Sequence, residues 1–316
     1  MTFPPPPARR RLLVIHNPVA GARRARRLAA VIAALGERHG VEVTVRATTR
    51  RGDAEAMAAG LTTTGPSSPA PWDAVAVAGG DGTINEAING MMGGMMGGGP
   101  VPLPFAVVPL GTANVLAHEL GLPFDAAGVA DTLALGRVQP VHLGTANGRC
   151  FAMMAGVGLD AHVVEGVDPA LKRRIGKGAY VLETLRRLAC PRGGRYRITV
   201  GNTVHEAAAA IAANGHFYGG TFVCAPDARL TDPTLHLCRF ERSGRWNALR
   251  YVVGVTTGLV RRFPDVPVEP VTALRIDGPE GEPVQGDGDI IARLPVTIGV
   301  HPRTLPMLVP MLTPAE

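Results

Sequence analysis

The sequence predicts two domains of different class, an α/β domain with a parallel sheet followed by an all-β domain built as an antiparallel sandwich. Three observations predict it. Ala74 to Ala78 is a short apolar run that ends at Gly79-Gly80 and is followed by apolar Ile84, Ala87, Ile88 and Met91 at helical spacing. That is the order of a buried parallel strand, a tight turn and a helix. Phe105 to Pro109, the turn Leu110-Gly111-Thr112-Ala113-Asn114 and a helix through Leu120 repeat the order. After about Gly136 the alternation stops, and short strands separated by turns take over.

Met1 to Arg11 is proline-rich and then basic, lacks the apolar stretch of a secretory signal, and reads as a frayed tail. Leu12 to Ile15 is the first strand; it ends at His16-Asn17-Pro18, with Gly21 beyond, and the next helix carries Leu28, Val31, Ile32 and Leu35 on one face. Arg23, Arg24, Arg26 and Arg27 open that helix, either as a solvated basic face or, through Arg23, as a phosphate contact. Val41 to Val45 alternates like a strand. Thr62 to Pro71 is a Ser/Thr/Pro/Gly loop, and Met91 to Gly99, with its duplicated Met-Met-Gly-Gly, reads as a flexible loop insertion. Thr83, with Glu86 three residues on, is a capping-box pattern that predicts a helix start at Thr83.

In the second half Val141 to Gly144, Arg149 to Ala155, Arg195 to Val200, Val204 to Ala213 and Leu235 to Phe240 are the candidate strands. Between them, Leu171 to Arg197 holds nine cations against the single acid Glu183, around a helix with apolar Val181, Leu182, Leu185 and Leu188. This is either a packed helix with a solvated back or a lipid-facing patch, since each cation near an anionic bilayer is worth roughly 1 kcal/mol.

Strand, glycine turn and helix N-terminus at Gly79-Gly80-Asp81-Gly82 make an anion site: small residues admit close backbone approach, N–H groups point outward, and the helix dipole favours negative charge. Phosphate is the expected guest. No Gly-Lys-Ser/Thr follows, so the loop is not a Walker A, and the third glycine of G-x-G-x-x-G is missing. The plain alternative is a tight turn with an incidental acid. Asp81 argues against it, because a carboxylate repels phosphate unless a cation or a proton transfer involves it, which points to Mg²⁺ chemistry or a general base. The second turn, at Gly111-Thr112, would bring another helix N-terminus to the carboxyl edge of the same sheet, where α/β proteins bind ligands.

The 316 residues, 46% hydrophobic and 18% charged, suit a soluble globular enzyme with a substantial core. The net charge is +6, and of 32 basic residues only Lys172 and Lys177 are not arginine. That balance points to phosphate or an anionic surface as partner, with a GC-rich genome as the competing cause. Cys150, Cys190, Cys224 and Cys238 are scattered without a C-x-x-C pair, as core thiols of a reduced cytosolic protein are; a zinc site is not expected. The long uncharged span Ala87 to Ala117 is interrupted throughout by glycine and proline, which rules against a transmembrane helix. Membrane contact would be peripheral.

Gly79-Gly80-Asp81-Gly82-Thr83 with Asn85-Glu86 resembles the signature of the diacylglycerol kinase catalytic domain family, which includes bacterial lipid kinases and sphingosine kinases. The same core occurs in NAD kinases and resembles a loop of phosphofructokinases. Other motifs stand in the family's order: Asn17-Pro18, Thr48 before Gly52-Asp53-Ala54, Pro109 to Asn114 as Pro-x-Gly-Thr-x-Asn, and Gly156-Val157-Gly158-Leu159-Asp160. They continue with Asn214, Gly219-Gly220, Pro226-x-Ala228 and Asp232, then Asp287-Gly288-Asp289, and Val296 to Pro310 as the closing segment. The chain departs from the pattern at Val115 and His118, where many members carry Asp and Arg, at Pro233, where they have glycine, and at Asp289, where they have a glutamate.

The resemblance implies a Rossmann-like, NAD kinase/phosphofructokinase-like α/β domain over residues 1–136, joined by the returning segment 303–316, and a β-sandwich lipid-substrate and metal domain over 137–302. It implies an ATP- and Mg²⁺-dependent kinase that phosphorylates a lipid hydroxyl, of diacylglycerol or a related sphingoid lipid, with the nucleotide bound between the domains. Asn17, Thr48, Gly79, Gly80, Asp81, Gly82, Thr83, Ile84, Asn85, Gly111, Thr112 and Asn114 would bind the nucleotide, and Asp160 would face the lipid head. Asp232, with the carbonyls of Arg229 and Thr234, would hold Mg²⁺. Asp287 would support the metal and water network, and either Asp289 or Asp81 would accept the hydroxyl proton. A lipid acceptor implies a cytoplasmic protein, peripheral on the inner face of the membrane through 171–197; no nucleic-acid partner is expected, and a homodimer is allowed. Two other readings stand beside it. One is an NAD kinase-like phosphotransferase, which has no reason to carry Asp232 and Asp287-Gly288-Asp289; the other is a catalytically silent lipid- or nucleotide-binding protein, favoured by Val115, Pro233 and Asp289.

Overall fold

The structure, a computed structural model, describes residues 9–18, 22–62, 71–93, 103–168, 171, 176, 178–189 and 194–311. The predicted N-terminal tail through residue 8, Gly21, the loop 63–70, the Gly-rich stretch 94–99, Lys172, Arg173, Arg174, Lys177, Cys190 and Arg192 lie outside the described residues, as does the side chain of Arg23. The chain divides into two compact units, residues 1–141 with 303–316, and residues 142–302.

The first unit is an α/β layer. Its six-stranded sheet runs in the order Glu42–Ala47, Arg11–His16, Ala74–Gly79, Phe105–Pro109, Leu305–Val309, Arg137–Val141. The first five strands are parallel to their neighbours, and Arg137–Val141 closes the sheet antiparallel to Leu305–Val309. Ala74–Gly79 and Phe105–Pro109 are buried along their whole length, as uninterrupted apolar runs in a central parallel sheet must be. Leu28, Val31 and Leu35 of helix Ala22–His39 pack with Val129, Ala130 and Leu133 of helix Ala126–Leu135 over one face. Helices Asp53–Thr62 and Asp81–Met92 pack closely because Gly90 leaves no side chain between them; a Cβ there would lie 2.9 Å from that of Ala58.

Three predicted features of this unit are corrected. The helix begins at Asp81, with Gly80 as its cap and no side-chain cap bond, because Thr83 and Glu86 are engaged elsewhere: Asn17 Nδ2 donates to Thr83 Oγ1 at 3.0 Å, and Gly52 N–H donates to Glu86 Oε2 at 3.0 Å. Met91 and Met92 are the last residues of that helix and are fully buried, so the pair is core rather than loop; Gly93, with a φ of 63°, ends the helix. Val141 belongs to the parallel-type sheet and does not begin the sandwich.

The second unit is an antiparallel sandwich. One sheet orders Thr203–Ala207, Tyr196–Val200, Ala273–Asp277, Val296–Val300, Gly144–Ala146, Arg149–Phe151, and the other orders Val268–Val271, Leu235–Phe240, Ala209–Ala213, Met154–Val157, Pro283–Gly286, Asp289–Arg293. Phe151, Tyr196, Ile198, Ile276 and Ile298 of the first meet Val157, Ala212, Leu235, Leu237 and Val284 of the second in one core. Alternating residues of each strand supply it. The run Val204 to Ala213, read as one strand, is two: after Ala207 the chain leaves the first sheet, Ala208 N–H bonds to Phe240 O, and Ala209–Ala213 enters the second.

Helix Gly178–Ala189 is amphipathic with its apolar face outward. Ala179 and Glu183 are its buried residues, and Glu183 is paired to Arg187 at 2.6 Å. Val181, Leu182 and Leu185 are 54–60% exposed. Helix Arg245–Thr257 adjoins it and exposes Trp246 at 71%. Among the described residues no helix is long and apolar enough to cross a membrane.

Candidate active site

In the first unit the predicted nucleotide residues gather where the strands end. Asn17 follows Arg11–His16, Thr48 follows Glu42–Ala47, Gly79 ends Ala74–Gly79, and the second glycine turn follows Phe105–Pro109. The two turns touch: Leu110 N–H bonds to Gly79 O at 3.2 Å, and a Cβ on Gly111 would meet Gly80 Cα at 2.9 Å. Glycine at 111 allows this approach, whereas a Cβ on Gly80 would lie 3.6 Å from Gly111 Cα, an ordinary contact. Gly79 is constrained as Gly111 is, since a Cβ there would lie 2.8 Å from that of Thr83.

Asp81 joins the turns. Its Oδ1 accepts from Val115 N–H at 3.0 Å and its Oδ2 from Asn114 N–H at 3.2 Å. The carboxylate therefore caps helix Val115–Glu119, whose own capping residue, Asn114, is left-handed at φ 49° and makes no side-chain cap bond. Gly111, Thr112 and Ala113 lie just before these two capped N–H groups, at the open end of that helix. Asn114 Oδ1 is buried without a partner, a polar atom awaiting a donor. Ile84 and Asn85, by contrast, turn their side chains inward: Ile84 is 2% exposed, and Asn85 Oδ1 accepts from Asn89 Nδ2 at 3.0 Å.

Arg24 was not singled out by the sequence over its neighbours, yet its Nη2 donates to Thr112 Oγ1 at 3.0 Å. The helix it opens has no acid in its first turn, so its cations oppose the helix dipole. A clue was available: arginine at a helix start is electrostatically misplaced unless an anion joins it.

In the second unit, Asp287-Gly288 is a two-residue hairpin turn between Gly286 and Asp289, which pair across it. Both turn residues have positive φ, 51° and 86°, as a type I′ turn requires. Asp287 is anchored by three backbone donors, the N–H groups of Ala152 at 2.6 Å, Met153 at 2.9 Å and Met154 at 3.1 Å, and its own N–H bonds back to Met154 O. Asn214, fully buried, fixes the same segment from the other side by donating Nδ2 to Ala152 O at 2.7 Å. Asp289, half-buried, starts the outgoing strand.

Asp160 lies in the first turn of helix Leu159–Gly166, a helix that the sequence analysis does not predict. Tyr218 O–H donates to its Oδ1 and Gln285 Nε2 to its Oδ2, both at 2.6 Å. Burial pushes the Asp160 carboxyl up, opposed by these two bonds, and burial beside Asp160 pushes the Tyr218 hydroxyl well above its ordinary value. Tyr218 and Gln285 carry no family motif. Gln285 was detectable as a polar residue inside the otherwise apolar strand Pro283–Gly286.

The loop implied for Mg²⁺ is exposed. Arg229 O accepts from Asp232 N–H at 3.0 Å, while the Arg229 side chain bonds the carbonyls of Pro226 and Ala228. Pro233 removes a donor but no carbonyl, so Asp232 and its neighbours offer an all-oxygen set that fits a hard cation. Among the described residues no cluster of three or more His, Cys, Asp or Glu side chains could hold a metal. The glycine cradle and the unpartnered Asn114 Oδ1 likewise fit a nucleotide.

The chain thus combines a braced double glycine turn on an α/β sheet with a β-sandwich carrying an Asp-Gly-Asp hairpin. Residues 11–146 match the diacylglycerol kinase catalytic domain, and residues 153–309 match the YegS C-terminal NAD kinase beta sandwich-like domain. A Pseudomonas aeruginosa protein named "Probable lipid kinase YegS-like" is 30% identical over 307 residues, covering 95% of this chain and 94% of its own. The diacylglycerol kinase of Bacillus subtilis is 29% identical over 235 residues, covering 72% and 73%. A crystal structure of a diacylglycerol kinase from Bacillus anthracis superposes with a TM-score of 0.73 at 24% identity, covering 95% of this chain and 97% of its own, which shows the fold. The chain belongs to the lipid kinase family built on the diacylglycerol kinase catalytic domain.

Proposed function

We propose that the protein transfers the γ-phosphoryl group of ATP to a hydroxyl of diacylglycerol or a related lipid. The observation that carries the lipid reading is the surrounding of the Asp-Gly-Asp hairpin. Gln285 bridges it to Asp160, and a Cβ on Gly288 would lie 3.8 Å from the hydroxyl of Tyr180, on the helix that exposes Val181, Leu182 and Leu185. A reacting turn beside an outward apolar helix suits an acceptor presented by a bilayer.

When bound, ATP supplies the phosphoryl group and Mg²⁺ neutralises its charge. The residues do the positioning. N–H groups of Gly80 to Gly82 and of Gly111 to Ala113 cradle the phosphates, Arg24 adds a guanidinium, and Asp81 braces the two turns. Asp232 with the carbonyls of Arg229 and Thr234 would hold the cation. Asp160 orients the acceptor hydroxyl, and Asp289 takes its proton. Asp81 is assigned to bracing instead, because its two oxygens hold the Val115 and Asn114 N–H groups that set the second turn. Asp287, with three backbone donors, keeps the hairpin in register.

The exposed helix face, with Arg186 79% exposed beside it and Trp246 on the adjoining helix, rests on an anionic membrane surface in this reading. Labelled ATP offered with diacylglycerol in mixed micelles and NAD as competing acceptor tests the whole. Phosphatidic acid without NADP is the expected product; NADP, or ATP recovered intact, would overturn the reading.

A further inference from the structure

We infer that Gln285 is the positioning residue that sets the acceptor-binding Asp160 and the Asp287-Gly288-Asp289 turn at one fixed separation. The inference rests on the lipid kinase reading and adds a residue to it. Gln285 is fully buried, and a buried carboxamide is costly unless its polar atoms are bonded. Each end finds a partner from a different motif: Nε2 donates to Asp160 Oδ2 at 2.6 Å, and Oε1 accepts from Gly288 N–H at 3.1 Å. The chemistry fixes which way the amide faces, since a backbone N–H needs the oxygen and a carboxylate needs the NH₂.

Two backbone features serve this bridge. The strand register shifts between Val284 and Gln285, so that Val284 pairs with Ala292 and Gln285 with Ile290. Such a bulge re-aims a side chain. Gly156 leaves the space: a Cβ there would meet Asp160 Oδ2 at 3.0 Å and Gln285 Nε2 at 3.3 Å. With Tyr218 holding Oδ1 at 2.6 Å, each oxygen of Asp160 has one donor and one orientation, and a lone pair on each remains for an acceptor hydroxyl. Gln285 also holds the N–H of the residue preceding Asp289. One side chain thereby fixes both the group that reads the lipid head and the turn that presents the base, and a misplacement of one ångström between such groups can cost about a hundredfold.

The test is steady-state kinetics of the full chain with ATP and diacylglycerol micelles for the parent, Gln285→Met, Gln285→Glu and Tyr218→Phe. Gln285→Met fills the same space without either bond and is expected to lower kcat roughly 10- to 100-fold while the KM for ATP stays within about twofold. Gln285→Glu keeps the acceptor for Gly288 N–H but sets a second carboxylate against Asp160, so the pair shares a proton. Its activity should recover toward acid pH and fall as pH rises, a limb absent from the parent profile. The other titratable groups there, Tyr218 on Asp160 and Cys224 near Tyr218, are common to both proteins. Tyr218→Phe, a smaller change kept in case the Gln285 variants do not fold, should lower kcat about three- to tenfold. An active parent with Gln285→Met and Tyr218→Phe at parental kcat, or Gln285→Glu with the parental pH profile, would overturn the inference alone. A parent that transfers nothing would overturn the kinase reading and the inference with it.

Discussion

The Asp81 carboxylate caps the helix that Val115 begins, accepting the Val115 N–H at 3.0 Å and the Asn114 N–H at 3.2 Å. The acid of one glycine turn thus fixes the backbone of the other. Asp81→Asn keeps one acceptor and turns an NH₂ toward the second N–H. Leaving a part-buried donor unpaired costs about 1–3 kcal/mol. The variant should melt at lower temperature, and its KM for ATP should rise because the cradle loosens. Thermal unfolding with and without ATP reads both effects.

Asp287 should matter more to folding than Asp81. Asp287→Ala strands three N–H groups and puts a Cβ residue without a compensating side chain at φ 51°. The expected loss is at least about 3 kcal/mol. Asp287→Asn tolerates the left-handed backbone and keeps one acceptor, so it should fall between alanine and the parent. Urea unfolding midpoints of the three proteins give the order.

Arg24 offers a test confined to the nucleotide. Arg24→Ala removes the guanidinium beside Thr112 at a half-exposed position, so stability should hold while the KM for ATP rises roughly tenfold, the effect of one bond to a charged group. Equal KM values would return Arg24 to a solvated face.

Asp53, the first residue of helix Asp53–Thr62, supplies a pH signature. Its carboxyl is held down from 3.8 to about 2, chiefly by the Thr49 hydroxyl and N–H and further by Arg50. A carboxyl lowered on folding stabilises above its unfolded value and loses that contribution as pH falls through its folded one. The parent should therefore lose stability relative to Asp53→Asn between about pH 4 and pH 2, and the two curves should run parallel above that window.

The outward face of helix Gly178–Ala189 predicts how membrane binding responds to substitution. Leu182→Glu with Leu185→Glu should weaken co-sedimentation with anionic vesicles without destabilising the fold, because both side chains are more than half exposed. Raised salt should weaken the parent's binding too. Unchanged binding by the double variant would free this face from the role.

The α/β half of the molecule was legible because buried parallel strands announce themselves as unbroken apolar runs, and because Gly79 and Gly111 can stand where they do only without side chains. The start of helix Asp81–Met92 was misread for a physical reason: Thr83 and Glu86 have the spacing of a cap but bond to Asn17 and Gly52, partners distant in sequence. In the sandwich, Val204 to Ala213 has one continuous β pattern, and nothing local marks the point at Ala208 where the chain changes sheets. The Asp160, Gln285 and Tyr218 cluster joins residues up to 125 positions apart, so only its motif-bearing member was visible. Helix Gly178–Ala189 was found, but spacing alone could not say that Glu183 faces in and Leu182 faces out.

Asp289 is where the account is most exposed, since the family residue is a glutamate and the shorter arm must still reach the acceptor. Steady-state turnover of the parent and of Asp289→Asn, with saturating ATP and diacylglycerol and with circular dichroism showing both folded, measures this directly. The account predicts an active parent and a loss of roughly 10²–10⁴-fold on Asp289→Asn, the range for removing a general base. Turnover of Asp289→Asn equal to that of the parent, with Asp81→Asn inactive, would contradict it and move the proton acceptor to the first glycine turn.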